Sequence, residues 1–111
     1  MATDVIRLVK GDERPVIVLT LTDDVTGSAI DLSLISTTVS VKFRKAATTT
    51  VLSTVSCSKL SGGTTGQVQF SFVGGVLDVD PGMYEGEVVI DFGGEIQTVY
   101  DVLRFTVREN F

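Results

Sequence analysis

Apolar and polar residues alternate with a period of two along most of this sequence. Between Thr38 and Lys45, valine and phenylalanine occupy the odd positions, and polar side chains occupy the even ones. The segment from Gly66 to Phe72 repeats the pattern, with Val68, Phe70 and Phe72 on one face. Such alternation is typical of a strand with one buried face, and no segment keeps the apolar period of a helix. The pattern therefore predicts an all-β protein.

Strand-like segments recur about every 10 to 15 residues, separated by turns rich in Gly, Asp and Pro. Pro15 can stand only at a strand start or edge because it lacks an N–H group. Asp23, Asp24 and Gly27 predict a turn. The predicted strands are 4–9, 15–22, 38–45, 50–57, 66–72, 77–92 and 95–108. About seven short strands in 111 residues favour one domain, residues 1–111, folded as an immunoglobulin-like antiparallel β-sandwich.

The last predicted strand changes phase. Its inward set begins on even numbers and ends on odd ones, which is the effect of a β-bulge near Val102 and Leu103. The even set is Ile96, Tyr100 and Val102, and the odd set is Leu103, Phe105 and Val107.

The stretch "LDVDPGMYEGEVVIDF", residues 77–92, places a tyrosine just after a turn. Alternation puts Tyr84 on the core face with Gly86, Val88, Ile90 and Phe92. Immunoglobulin-like sandwiches use a tyrosine here, whose hydroxyl bonds the backbone a few residues upstream. We expect Asp80, Gly82 and Tyr84 to form such a structural corner. Antibody domains carry a cysteine two residues later, but this chain has Gly86 there and one cysteine in all, so no intrachain disulfide is possible.

Composition excludes several function classes. The net charge is −5, and no run of Lys or Arg offers a binding stripe for nucleic acid or an anionic membrane. No apolar run is long enough to cross a bilayer, and the first residues do not resemble a secretory signal. The absence of histidine rules out Ser-His-Asp and Cys-His mechanisms and zinc sites built on histidine.

Three groups have the residue types of chemical sites, and each has a simpler interpretation. Asp78 and Asp80 could contribute to a calcium site, but calcium needs six to eight converging oxygens, so turn capping and solvation are favoured. Glu85 and Glu87 could imitate a glycosidase pair, but an outward strand face offers no cleft. Cys57 is expected to point inward, and a reactive thiol needs a cationic neighbour. We therefore expect no catalytic residue, no cofactor and no metal.

Some apolar side chains fall on faces that an isolated sandwich would expose to water. Clustered, such residues mark a protein contact. The candidate interface residues are Val16, Val18, Met83, Val89 and Phe111.

The order of motifs resembles the N-terminal immunoglobulin-like domain of phage baseplate upper proteins and related small tail and baseplate domains. The resemblance covers nearly the whole chain. The motifs are Gly11-Asp12, the loop with Asp24, Gly27, Ile30, Asp31 and Leu32, the Lys42-Phe43 pair, the strand with Gly82, Tyr84 and Val88, and the ending Phe105-Thr106-Val107.

The resemblance implies a non-enzymatic structural protein of a tailed-phage virion, associated with the tail or baseplate. Its partners would be other virion proteins and further copies of itself, as a homo-oligomer or ring, in a particle assembled in the host cytoplasm. The larger relatives continue toward a receptor-binding protein, whereas this sequence stops at Phe111, so a small free-standing subunit is expected. The alternatives are a carbohydrate-binding or host-adhesion module and a head decoration protein. Carbohydrate-binding surfaces usually expose Trp or Tyr. This sequence has no Trp, and both of its tyrosines fall on inferred core faces. An enzyme has the least support.

Overall fold

The computed structural model describes residues 5–23, 25–99 and 102–111. The predictions made for Asp24 and Tyr100 lie outside the described residues. Within those ranges the chain forms nine strands and one turn of 3-10 helix at Ser61–Gly63. The strands are β1 (Val5–Val9), β2 (Ile17–Thr20), β3 (Thr38–Lys45), β4 (Val51–Ser56), β5 (Ser58–Lys59), β6 (Gln67–Phe70), β7 (Gly82–Asp91), β8 (Ile96–Thr98) and β9 (Leu103–Arg108).

The strands build two sheets around one apolar core. The larger sheet has the order β1-β9-β7-β3-β4, with β8 also paired to β7, and the smaller has the order β2-β6-β5. The strands β2, β6 and β5 take the places of B, E and D in an immunoglobulin sandwich, and β3, β7 and β9 take those of C, F and G. The predicted all-β, immunoglobulin-like sandwich without a disulfide is confirmed.

Alternation along the strands supplies the core, as the sequence pattern predicts. Phe72, which follows β6, meets Phe105 of β9 edge to face with ring centroids 5.9 Å apart. The buried apolar residues are Leu8, Leu19, Leu21, Leu32, Val39, Val41, Phe43, Val68, Phe70, Phe72, Val76, Leu77, Tyr84, Val88, Ile90, Leu103, Phe105 and Val107.

Nine strands appear instead of about seven because two predicted segments are each divided. The segment 50–57 forms β4 in the larger sheet, and then the chain crosses at Cys57 so that β5 pairs with β6 in the smaller sheet. The segment 95–108 divides into β8 and β9, which pair with opposite ends of β7. The strands predicted at 15–22 and 77–92 are shorter in the structure, at Ile17–Thr20 and Gly82–Asp91.

The predicted phase change in the last strand is wrong, although the irregularity itself is present. Thr98 pairs with Val89, and Leu103 pairs with Gly86. Five residue steps from Thr98 to Leu103 therefore lie opposite only three residue steps of β7, from Val89 to Gly86. An offset of two residues preserves the phase, so Gln97, Leu103, Phe105 and Val107 all lie opposite residues on the core side of β7. Ile96 accordingly points outward and is 61% exposed.

One strand pair departs from the predicted antiparallel arrangement. β1 runs parallel to β9, with Val5 opposite Arg104 and Val9 opposite Arg108. The remaining pairs between described strands are antiparallel. In the described part of the chain, the larger sheet has free edges at β1, at β4 and at the short β8.

Candidate functional site

The tyrosine corner joins the loop before β7 to the core. The Tyr84 ring is 2% exposed and stacks on Phe43, with centroids 5.1 Å apart and planes inclined by 10°. Its hydroxyl donates a 2.5 Å hydrogen bond to the backbone carbonyl of Asp80. Burial raises the pKa of the Tyr84 phenol, and the Asp80 carboxylate raises it further. A neutral phenol therefore pins the loop to the sandwich, which is a structural role.

Glycine is required at two positions of this corner, for different reasons. Gly82 has a φ of 150°, a backbone conformation that L side chains rarely adopt. Gly86 has ordinary backbone angles, but a Cβ there would lie 2.9 Å from both Phe105 Cε2 and Val41 Cγ1. Core side chains thus occupy the space that a disulfide fills in antibody domains.

The two aspartates weighed as calcium ligands lie in solvent. Asp78 and Asp80 are both exposed, in the loop that precedes β7. Among residues 5–23, 25–99 and 102–111, no three Asp, Glu, Cys or His side chains converge as metal ligands would. The described residues therefore offer no converging set of calcium ligands around these aspartates.

Glu85 and Glu87 lie on the open outer face of the larger sheet. Glu85 Oε1 is 3.2 Å from Arg44 Nη2 and accepts a hydrogen bond from Arg44 Nε at 3.3 Å. Arg104 stands opposite Glu85 on β9, and Lys42 stands opposite Glu87 on β3. Cross-strand pairs of opposite charge stabilise a sheet surface, so the structural interpretation accounts for both carboxylates.

Cys57 lies where the chain crosses between sheets and packs against the core. Burial raises the pKa of its thiol to about 12, so the thiolate that reacts is scarce at neutral pH. Lys59, the nearest cation in the sequence, donates from Nζ to the carbonyl of Leu34 at 2.7 Å. The cysteine behaves as a small apolar residue.

The five candidate interface residues do not form one patch. Val18 is 53% exposed on the outer side of β2, whereas Met83, 46% exposed, and the half-buried Val89 lie on the outer face of the larger sheet. Phe111 is fully exposed, with the Arg108 guanidinium 4.9 Å from its ring centroid. Val16 lies apart from these, on the rim of a groove beside β4.

That groove adjoins the free edge formed by β4, which we call the β4 edge (residues 51–56). It has a volume of about 360 Å³. Its lining includes Val16, Val73 and Val76 together with Thr54, Val55 and Ser56 of the strand itself. The β4 edge also exposes Val51 and Leu52, by 45% and 50%. A groove of mixed polar and apolar lining thus runs along a strand that, among the described residues, has no neighbouring strand on its outer side.

A second apolar surface lies in the connection between β2 and β3, at Leu34 and Ile35, which we call the apolar loop. Leu34 is 66% exposed and Ile35 is 99% exposed. The loop is held in place by hydrogen bonds that the Leu34 carbonyl accepts from Thr37 N–H, at 3.0 Å, and from Lys59 Nζ. Two large aliphatic side chains are therefore held in water by an ordered backbone.

The apolar loop touches the turn between β7 and β8. A Cβ at Gly93 would lie 3.1 Å from Ser36 Oγ, so the two connections are in contact. The turn itself is fixed by Asp91 Oδ1, which accepts hydrogen bonds from the N–H groups of Gly93 and Gly94 at 2.9 Å each. The turn thus lies beside Ser36, the residue that follows Ile35.

The apolar loop was not among the residues predicted for an interface, although the sequence carries a signal for it. Leu34 and Ile35 are adjacent, and adjacent residues of a strand cannot both face the core. At least one of the two therefore had to point toward water or lie in a turn.

Comparison of the sequence with protein-family models and with curated proteins found no match. In the described part of the chain, no helix is long and apolar enough to cross a membrane. The likeness to phage baseplate domains is thus a resemblance of motifs.

Proposed function

We propose that this chain is a non-enzymatic structural protein of a tailed-phage virion, associated with the tail or baseplate, that works by binding other virion proteins and copies of itself. The assignment to a virion rests on the motif resemblance. The proposal that the chain works by binding proteins rests on the surfaces of the sandwich, and above all on the exposed apolar loop.

The apolar loop favours a protein partner on energetic grounds. Covering an exposed Leu or Ile side chain contributes about 1.5–3 kcal/mol, so Leu34 and Ile35 together supply several kcal/mol to an interface. The loop is already ordered by the hydrogen bonds to the Leu34 carbonyl, so little conformational entropy is lost on binding.

The position of the apolar loop is also one that this fold uses for recognition. It connects the strands equivalent to B and C, and it contacts the connection between the strands equivalent to F and G. In antibody variable domains those connections carry the antigen-binding loops.

The chemistry of the loop favours a protein over a carbohydrate. Leu34 and Ile35 are aliphatic, and they are flanked by Ser33 and Ser36 with no charged neighbour in the segment 32–38. Aliphatic side chains match the apolar centre of a protein interface, in which charged residues are depleted.

The test is binding to the virion proteins encoded beside this chain, measured by interferometry with each purified protein. The double variant Leu34→Ser with Ile35→Ser is expected to weaken binding by at least about tenfold, because two anchoring side chains are lost. The unfolding midpoint should not change, since both side chains are exposed in the free chain.

Val25→Ser is the matched control, because Val25 is 94% exposed in a neighbouring turn but stands alone. It should bind as the parent does. A chain that binds none of its co-encoded virion proteins, or a double variant that binds as tightly as the parent, would contradict the proposal.

A further inference from the structure

The β4 edge has neither the charges nor the proline that usually protect an exposed strand. Natural edges carry lysine, proline or other charges that prevent pairing with a second chain. Residues 46–58 contain no charged residue and no proline, and the nearest charges are Lys45 and Lys59. The strand consists of Val, Leu, Ser and Thr, which suit a pleated sheet. One irregularity exists, a register shift opposite Phe43 and Arg44, at the start of the strand.

The hydrogen-bonding groups that face outward can be identified from the ladder with β3. Cys57 N–H donates to the Val39 carbonyl at 2.9 Å, so this pair is hydrogen-bonded. Bonded and non-bonded positions alternate in an antiparallel ladder. Val55 and Ser53 therefore bond to β3, and the N–H and C=O groups of Thr54 and Ser56 point away from it.

The other free edges in the described part of the chain are shorter or carry charges. β1 includes Arg7, β5 has two residues and ends at Lys59, and β8 has three residues. β2 has four residues and follows Pro15. A long, uncharged edge is therefore a property of β4.

We propose that β4 pairs antiparallel with β4 of a second copy, across a two-fold axis at Thr54, so that the larger sheets of two molecules become continuous. Thr54 would face Thr54 of the second copy, and Leu52 would face its Ser56. The two Thr54 residues exchange two main-chain hydrogen bonds on the axis in this register. The inference rests on the proposed function in one respect, namely that the chain acts by assembly.

A second copy fits this edge better than an unrelated strand does. A two-fold contact requires a surface that complements itself, and the register at Thr54 pairs small polar and apolar residues with each other. Each copy carries a net charge of −5, so copies repel wherever their charged surfaces meet. The uncharged segment 46–58 is where that repulsion is weakest.

The first experiment is analytical ultracentrifugation of the purified chain at concentrations up to about 1 mM. The parent is expected to approach twice its monomer mass of 11.9 kDa. Thr54→Glu should weaken dimerisation at least tenfold, because two carboxylates would meet on the axis. The new carboxylate lies opposite Lys42 within its own molecule, so the fold should tolerate it. Thr20→Glu, at an exposed position of β2, adds the same charge elsewhere and should dimerise as the parent does.

The second experiment tests the register with disulfide cross-links in a Cys57→Ala background. Thr54→Cys places two thiols on the axis and should give a cross-linked dimer under oxidation. Ser56→Cys is equally exposed but places its thiols four residues apart along the paired strands, roughly 13 Å. It should remain monomeric on a denaturing gel.

The outcomes separate this inference from the proposed function. A parent that sediments as a monomer throughout, or a Thr54→Glu variant that dimerises as the parent does, overturns β4 self-pairing. Efficient cross-linking through Ser56→Cys but not Thr54→Cys overturns the register. If such a chain still binds a virion protein through Leu34 and Ile35, the proposed function stands. If Thr54→Glu instead abolishes binding to another virion protein while the parent is monomeric, the β4 edge belongs to that protein and the inference is wrong.

Discussion

Removing one oxygen atom tests the role of the tyrosine corner. Tyr84→Phe keeps the ring, and therefore keeps the stacking on Phe43 and nearly all of the buried apolar area. What it removes is the hydrogen bond from the hydroxyl to the Asp80 carbonyl.

The expected loss of unfolding free energy is about 1–2 kcal/mol. A net hydrogen bond contributes about 1 kcal/mol, and an acceptor left buried without a partner adds to the cost. Asp80 is an exposed residue, so water can reach its carbonyl once the tyrosine hydroxyl is gone. The cost of the unpaired carbonyl is therefore small.

Urea unfolding at pH 7 measures the effect, and a thermal melt should shift by roughly 4 °C or more per kcal/mol in a domain of this size. Asp80→Ala is the control, because the hydrogen bond uses the backbone of Asp80 and not its side chain. It should stay within about 0.5 kcal/mol of the parent. A Tyr84→Phe variant as stable as the parent would refute the reasoning, and one that is stable but loses assembly would assign Tyr84 to an interface.

Three further predictions concern alkaline pH, the core and calcium. The Cys57 thiol has a pKa of about 12 in the folded chain and 9.0 in the unfolded chain. The stability that comes from burying the neutral thiol is therefore complete below pH 9 and is lost as the pH rises toward 12. Unfolding free energies from urea titrations between pH 7 and pH 10.5 should therefore fall less steeply in Cys57→Ala than in the parent, with slopes that differ by roughly 1 kcal/mol per pH unit above pH 9, and equal slopes would contradict the burial argument. Gly86→Ala should cost about 1–3 kcal/mol because its Cβ meets Phe105 and Val41, and a variant as stable as the parent would mean that the core has slack there. Millimolar calcium should leave the melting temperature unchanged, and a rise that Asp78→Asn removes would establish a site at the loop before β7.

Alternation predicted the parts of the fold in which one strand face is buried and the other is wet. Tyr84, Val88 and Ile90 could be assigned to the core because every second residue between them is polar or small, apart from Val89. Ile96 could not, because the two-residue insertion between β8 and β9 is set by pairing with β7, and pairing partners are distant in sequence.

The candidate surfaces were harder to predict than the corner. Val16 and Val18 could be predicted as exposed because their neighbour Ile17 takes the opposite face. The exposure of the apolar loop depends on contacts made by Lys59 and Gly93, which lie far along the chain from Leu34. The free edge of β4 depends on the crossing at Cys57, which removes the following residues to the other sheet.

The parallel pairing of β1 with β9 has a mechanical consequence. A force that pulls the start of β1 and the end of β9 in opposite directions acts along both strands, so it loads the five residue pairs from Val5 to Val9 in shear. The hydrogen bonds of a parallel pair are evenly spaced and share such a load together. Separation then requires them to break almost at once, instead of opening one after another as in a hairpin pulled from its ends. Under such a force, this strand pair resists separation more strongly than a hairpin of equal length pulled from its ends.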